Sequence, residues 1–439
     1  MMFSLDVRRA RKGDCLLLHF GNKDAPGLIM IDGGPKNVYK PHLRPRLDQI
    51  RKARGLAKND SLPVDLLMVS HVDDDHIQGI LDLTREERVE QQAHRPLLLN
   101  VLSFWHNSFD AIIGHEPKEL TASVQDHFGA AALSGGGLSD EAVREVEDDS
   151  EEEQEVTESS LKVLASIEQG FRLRTDADAL GYPPNPEFDG KLIMARADAK
   201  PVEVASGLKF TVLGPMKAEL EALHKKHDEW LRELKKKGKS PAEALAAYVD
   251  QSVPNLSSIV VLAEFGGKRM LLTGDARGDK IIQGLQLARL LAPGKKSKIE
   301  IDLLKVPHHG SSNNLAKDFF QRIVAKHYVF SGNGEHGNPE RESMEMLLAA
   351  RGEDANYTIH FTYPVAEIDI ERKKDWEKEQ DKEKARKKKN AKVKIRKNWS
   401  PAANSLAAFF AAHKKFAKKL STVDAEAPHL VDLLDPVKF

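Results

Sequence analysis

The sequence predicts an α/β protein. Short aliphatic runs of strand character alternate with helical patterns, and at three places far apart in the chain such a run stops at a loop crowded with His and Asp. At 439 residues and 41% apolar content the chain can bury a large core. One main α/β domain with insertions is therefore expected, rather than a disordered or fibrous chain.

The first of these places is the most informative. Val64 to Val69 follows Pro63 and is aliphatic apart from Asp65, as a buried strand requires. It runs into LLMVSHVDDDHIQGI (Leu66 to Ile80), where His71, Asp73, Asp74, Asp75 and His76 precede a helical pattern. A plain acidic turn carries Lys or Gly partners, whereas here imidazoles bracket three carboxylates. Imidazole and carboxylate are the ligands that suit zinc, manganese or iron at a hydrolytic centre. The second place is the strand pattern Lys268 to Thr273, ending in Gly274 and Asp275. The third is Ile301 to Val306, ending in Pro307, His308 and His309. Alone, a Gly-Asp pair is a turn and a His pair is a surface feature. Together the three strand ends offer the inventory of a metal pair, since each hydrolytic metal takes about three protein ligands and leaves room for water.

Further short motifs lie in a fixed order around these: Gly13-Asp14, Ile31-Asp32-Gly33-Gly34, His71 to His76, Asn255 with Ser258-Ile259-Val260, Thr273 to Ala276, and His308 to Ser311. In this set and order the chain resembles the metallo-β-lactamase fold superfamily of metallohydrolases, and within it the branch found in the hydrolase domains of DNA-uptake competence channel proteins. The motifs run from about Met1 to Pro339. The resemblance implies an αββα sandwich with a two-metal site at one edge of the sheets. It also implies that His71 and Asp73 hold the first metal, that Asp75 and His76 hold the second, and that Asp275 bridges the two. His308 or His309 would complete the second site, and His308 is preferred because it lies nearer the strand end. Asp75 could orient a water or accept its proton, a role that needs a carboxylate in hydrogen-bond reach. Asp14 and Asp32 are expected to support the site, bonding nearby backbone or a ligand histidine.

The chain departs from the superfamily's commonest pattern in three ways. Asp73 stands where most members carry a second histidine, which adds oxygen character and shifts the expected pair of divalent ions from strictly zinc to zinc or manganese. For the third histidine of many members, the strand pattern Leu97 to Phe104 offers only His106, for which an ordinary loop role is at least as good a reading. In Ser331 to Pro339, Asn338 stands where the family has a phosphate-facing histidine, and His336 could substitute for it. Other candidate substrate contacts are Ser311, Ser312, Asn313 and Ser331. An Asn at 313 or 314 could cap a helix from Leu315, whose amino end would favour an anion.

The formal net charge of −1 gives no global argument for nucleic acid. Local asymmetry says more. An acidic insertion near 139–160 contains EVEDDSEEEQEVTES (Glu145 to Ser159), and a helical insertion is expected near 216–250, with bases in Lys225 to Lys239. A hydrolase domain over 1–365 would then be followed by a charged, Ala-rich helical extension over 366–439. Within it, Lys384 to Lys397 carries nine bases and no acid, a candidate phosphate-binding patch or a site for a protein partner. Ala402 to Leu420 reads as a packed helix. No stretch reaches the roughly 20 apolar residues of a membrane span, and the single Cys15 suits a reducing cytoplasm.

Two enzymatic readings follow: a two-metal phosphodiesterase or nuclease, or a hydrolase of a small ester, cyclic nucleotide or lactone. A partner-bound regulatory or defence component is the non-enzymatic alternative, and retention of the full His/Asp set argues against it.

Overall fold

The computed structural model describes residues 1–107, 169–221, 257–423 and 427–438. The acidic insertion at 139–160, Asn255 and most of the expected helical insertion at 216–250 lie outside them. The strands are β1 (Met2–Val7), β2 (Leu16–Gly21), β3 (Pro26–Ile31), β4 (Leu62–Val64), β5 (Leu66–Met68), β6 (Leu99–Val101), β7 (Phe104–Trp105), β8 (Val202–Ala205), β9 (Leu208–Gly214), β10 (Val260–Phe265), β11 (Lys268–Leu272), β12 (Ile299–Lys305), β13 (Ile323–Phe330), β14 (Thr358–Phe361), β15 (Leu420–Ser421) and β16 (His429–Asp432).

Among the described residues they form two large mixed sheets. One has the order β16-β1-β2-β3-β5-β7 and the other β15-β14-β13-β12-β11-β10-β9-β8, with β4 and β6 as a separate small pair. Alternation along the strands gives each large sheet two apolar faces. Leu5, Leu16, Ile29 and Met68 of the first sheet share one core with Phe210, Val261, Met270 and Leu303 of the second, so the two sheets pack face to face. The outer face of the first sheet, with Leu17, Met30 and Leu67, is covered by helices α1 (Arg44–Ala53) and α2 (Asp74–Gln92) through Leu47, Ile50, Ile77 and Ile80. The outer face of the second, with Leu271, Leu304 and Tyr328, is covered by α3 (Gly278–Leu287), α4 (Arg341–Arg351) and the start of α5 (Val365–Lys389). The protein is thus a mixed α/β structure in which every large sheet face is buried.

The strand that leads to the first metal-capable loop is two strands, β4 and β5, interrupted at Asp65. Asp65 explains the break: its backbone N–H donates to the Leu28 carbonyl (2.9 Å) while its carboxylate accepts from the Leu28 N–H (2.8 Å). The expected strand Leu97 to Phe104 divides in the same way into β6 and β7. No helix starts at Leu315, which is extended; a single 3-10 turn over Ser312–Asn314 stands there instead. The helix expected over Ala402 to Leu420 is three short ones, Pro401–Asn404, Leu406–Ala412 and Lys414–Ala417, the second capped by the Ser405 side chain.

Beyond α5 the chain returns to pair β15 with β14 and β16 with β1, so residues after 366 supply an edge strand to each large sheet.

Candidate metal centre

Three strand ends meet at one edge of the paired sheets. β5 leads through Ser70 and His71 into α2, β11 leads to Asp275, and β12 leads to His308 and His309. Approach of α2 to the turn after β3 depends on two glycines. A Cβ on Gly79 would lie 1.9 Å from the Gly33 carbonyl oxygen, and one on Gly33 would lie 2.4 Å from Ile80 N. With both absent, the Gly33 N–H donates to the His76 carbonyl (2.7 Å) and the Gly79 N–H to that of Gly34 (2.9 Å). These bonds hold the first turn of α2 against the sheet edge.

Asp75, His76, Asp275 and His309 each offer a ligand atom, all within 4.8 Å of one another. His76 Nε2 lies 3.2 Å from Asp275 Oδ1, and His309 Nε2 lies 3.5 Å from the same oxygen and 3.7 Å from Asp75 Oδ2. Next to this group, His71 Nε2 lies 3.7 Å from Asp73 Oδ2, and the rings of His71 and His76 are 4.1 Å apart. Asp73 occupies the position before the first turn of α2, but its carboxylate caps no backbone N–H.

The Nδ1 side of each buried histidine is committed elsewhere. Ser70 Oγ donates to Asp32 Oδ2 (2.7 Å), so its lone pair accepts from His71 Nδ1 (3.0 Å). Asp32 also accepts from His76 Nδ1 at 2.8 Å and from the Ser70 N–H at 2.7 Å. On the opposite side Ser331 Oγ donates to Asp14 and accepts from His309 Nδ1 (3.1 Å). Protons on all three Nδ1 atoms leave all three Nε2 lone pairs facing inward. His71 Nε2, His76 Nε2, His309 Nε2 and Asp275 Oδ1 are buried and make no hydrogen bond. Inward imidazole nitrogens oriented by outer carboxylates are the arrangement that metal ligands adopt. The residues therefore fit a divalent cation.

Electrostatics agree. Burial alone would lower the His76 imidazole, but Asp275 and Asp32 outweigh it and hold it well above its ordinary value. His309 is likewise pushed up to about 9 against its burial, by Asp275 and Asp14. Burial would raise the Asp275 carboxyl, yet His309, His76 and His308 hold it well below the usual carboxylate range. The carboxylates thus demand positive charge at the centre, which a divalent cation can satisfy in exchange for imidazole protons.

The other sequence candidates are placed as follows. His309, not the preferred His308, is turned into the four-residue group. Both have a left-handed backbone (φ 53° and 49°), and the resulting tight turn sets their rings at right angles. His308 sits at the rim, partly exposed, with Nε2 3.7 Å from Asp275 Oδ2. His106 is not in the group: it is buried, stacks on Phe104 at 4.6 Å, and burial pushes its imidazole down to about 4. Ser311 is buried, Asn313 is exposed, and the Ser312 N–H donates to Glu340 (2.8 Å), so no open helix amino end is formed there. In the loop after β13, His336 faces outward beside α5. Asn338 is buried with an unpartnered Oδ1, and it is the residue of the two that lies inward.

Two contributors escaped the sequence reading. Ser70 had a usable signal in its position directly before His71. Lys305, buried at the end of β12 with Nζ 2.6 Å from Asp14 Oδ2, reads in sequence as an ordinary strand-end lysine.

No family model matches the chain. It is 30% identical over 120 residues to the ComE operon protein 3 of Bacillus subtilis, which covers 26% of this chain and 14% of that protein. Microtubule-associated protein 1A of Homo sapiens is 27% identical over 146 residues, 32% of this chain and 5% of that protein. The Drosophila melanogaster microtubule-associated protein futsch is 42% identical over 59 residues, 13% of this chain and 1% of that protein. The chain therefore spans less than a sixth of the length of each of these relatives.

Proposed function

We propose that the chain is a metal-dependent hydrolase of phosphodiesters, built on the metallo-β-lactamase fold with its sheets in an αββα sandwich. The observation that carries this reading is the convergence of Asp75, His76, Asp275 and His309, with the imidazole Nε2 atoms oriented inward and free of hydrogen bonds. The layering of helices outside two facing sheets and the local similarity to the ComE operon protein support it.

Asp75, His76, Asp275 and His309 would hold one divalent ion, and His71 and Asp73 a second, with Asp275 between them; zinc or manganese suits this nitrogen and oxygen set. Bound ions would supply an activated water near neutral pH and charge stabilisation at the phosphorus-bound oxygens. The protein's own work is positioning and proton transfer. Asp75 is less enclosed than Asp275 and lies in the first turn of α2, so its second carboxylate oxygen can orient a water or take its proton. In this reading the partly exposed His308 and the buried Asn338, whose Oδ1 has no partner, would meet the substrate's phosphate or leaving group. The buried single thiol of Cys15 suits a cytoplasmic enzyme, and among the described residues no helix is long and apolar enough to cross a membrane.

The test is zinc- and manganese-dependent turnover of bis-p-nitrophenyl phosphate, DNA and RNA by the wild-type chain, Asp275→Ala and His71→Ala. Turnover lost in both variants is expected. Metal-dependent turnover confined to carboxylic esters or lactones would replace the phosphodiesterase reading with the small-ester one.

A further inference from the structure

The 25-residue helix α5 is roughly 37 Å long at about 1.5 Å per residue. Its first half is rooted on the loop that begins at Ser331, the partner of His309. Arg372 Nε donates to the Gly337 carbonyl (3.0 Å), and Gly334 packs so closely on α5 that a Cβ would lie 2.2 Å from the Ile368 carbonyl oxygen.

Its second half is different. After Glu383 the helix carries only basic charge, and the chain then folds back along it. The return is well anchored: the Arg396 N–H and Nε donate to Glu383 (2.6 and 2.8 Å), and Gln380 Nε2 donates to the Arg396 carbonyl (3.0 Å). Trp376 Nε1 donates to the Lys397 carbonyl (2.9 Å), the Arg396 guanidinium stacks over the Trp376 ring at 5.1 Å, and Trp376 meets Trp399 edge-on at 5.9 Å. These contacts consume the nearby acids, Glu383 on Arg396 and Asp381 on Lys384. Lys387, Lys388, Lys392, Lys394 and Lys397 remain exposed, on two adjoining runs, and form no ion pair with the described residues.

We propose that this basic hairpin binds the phosphate backbone of a nucleic acid and leads it to the metal centre. The inference rests on the phosphodiesterase reading and adds to it that the substrate is a polymer. A row of unneutralised cations on an anchored scaffold is what a regularly spaced polyanion requires. The distance is suitable: Asp375, beside the Ser331 loop, precedes Lys387 by twelve residues, or about 18 Å along the helix. A duplex carries one charge per about 1.7 Å of axis, so a strand held at the lysines reaches the loop within a few base pairs. A lipid surface is less well matched, because Ile395 is the one large apolar side chain exposed among residues 384–399.

The experiment compares the full chain with a variant in which Lys387, Lys388, Lys392, Lys394 and Lys397 are all changed to Gln. Binding of a fluorescent 30-nucleotide DNA, single-stranded and duplex, is followed by anisotropy in EDTA between 50 and 250 mM salt. Phosphatidylserine vesicles serve as the competing anion, and bis-p-nitrophenyl phosphate turnover with manganese is measured in parallel. For wild type the expected log–log salt slope on duplex is about −4.5 if all five cations engage phosphate. The variant should lose most of that slope and at least tenfold in affinity, keep its thermal stability, and hydrolyse the small ester as wild type does. Equal affinity and slope in the two proteins, or tighter binding to vesicles than to DNA, would overturn the proposal. Retained DNA binding with no metal-dependent ester turnover would instead overturn the hydrolase reading and leave the basic surface standing.

Discussion

Lys305 Nζ lies 2.6 Å from Asp14 Oδ2, and both side chains are withdrawn from solvent. The contact is an ion pair without hydrogen-bond alignment at the ammonium. Burial would raise the Asp14 carboxyl, but Lys305 and His309 hold it well below the usual carboxylate range. Asp14 in turn accepts from Ser331, which accepts from His309. A lysine on the β12 strand thus keeps ionised the carboxylate that orients a candidate metal ligand on the far side of the turn.

Lys305→Met should therefore cost about 3–5 kcal/mol, the usual penalty for stranding one member of a buried pair, and should weaken metal binding through His309. Urea denaturation and metal titration measure the two effects. Replacing both residues, Lys305→Met with Asp14→Asn, should recover part of the stability but not the metal affinity. Recovery of both would show that the pair has no role in orienting His309.

Gly79→Ala tests the contact that places α2. The added methyl would meet the Gly33 carbonyl oxygen at 1.9 Å, a backbone atom that cannot swing aside. The helix start must shift, with a strain cost of about 1–3 kcal/mol, and it carries Asp75 and His76 with it. A loss of metal affinity larger than the loss of stability would predict is expected, read by titration against a chelating dye. Unchanged affinity would mean that the helix start is not what sets the ligand geometry.

The strand ends and most of the site were legible in sequence because metal ligation needs particular side chains at loop positions, and His71, Asp75, His76, Asp275 and the His pair are conspicuous there. The choice of His309 over His308 was not, since it depends on two consecutive left-handed residues that bring about the turn. Nor was the missing helix at Leu315: Asn313 and Asn314 suit a cap, but Leu315 and Phe319 are drawn into the second core instead. The strands at 420–421 and 429–432 were hidden because short edge strands carry little periodicity of their own and form by pairing with β14 and β1. His106 was separated from the centre by stacking on Phe104, a contact no local pattern announces.

Metal stoichiometry distinguishes the two halves of the centre. The wild-type chain, dialysed against zinc or manganese, is expected to hold two ions, and His71→Ala one, because Asp75, His76, Asp275 and His309 remain. Asp275→Asn should impair both. A ligand at 100 times its dissociation constant stabilises the folded chain by about 2.7 kcal/mol, so the melting temperature should rise with metal in wild type and not in Asp275→Asn. Equal shifts in the two proteins would remove Asp275 from the ligand set.

A second histidine cluster, on β13, β14 and β16, predicts acid sensitivity. His327 Nδ1 bonds His360 Nε2 and His360 Nδ1 bonds His429 Nε2, both at 3.0 Å, in a chain linking β13 and β14 to β16. Burial, helped by His429 and His327, pushes His360 down to about 2. Burial also pushes His429 down to about 4, despite Asp6 and a backbone bond at Phe361 that favour its charged form. The unfolded chain, with histidines near 6.5, takes up protons first as the pH falls. The contribution of this cluster to stability is therefore full above about pH 6.5 and is lost below it, by about 1.4 kcal/mol per unit for each histidine held neutral. For His429 that loss continues to about pH 4, and for His360 further. Denaturation of wild type and His429→Gln between pH 7 and 5 measures the difference. The variant should start less stable, having disturbed the chain of bonds, but fall less steeply by close to one proton. Parallel curves would mean that His429 titrates normally in the folded protein and that the three-histidine link does not hold β16 in place.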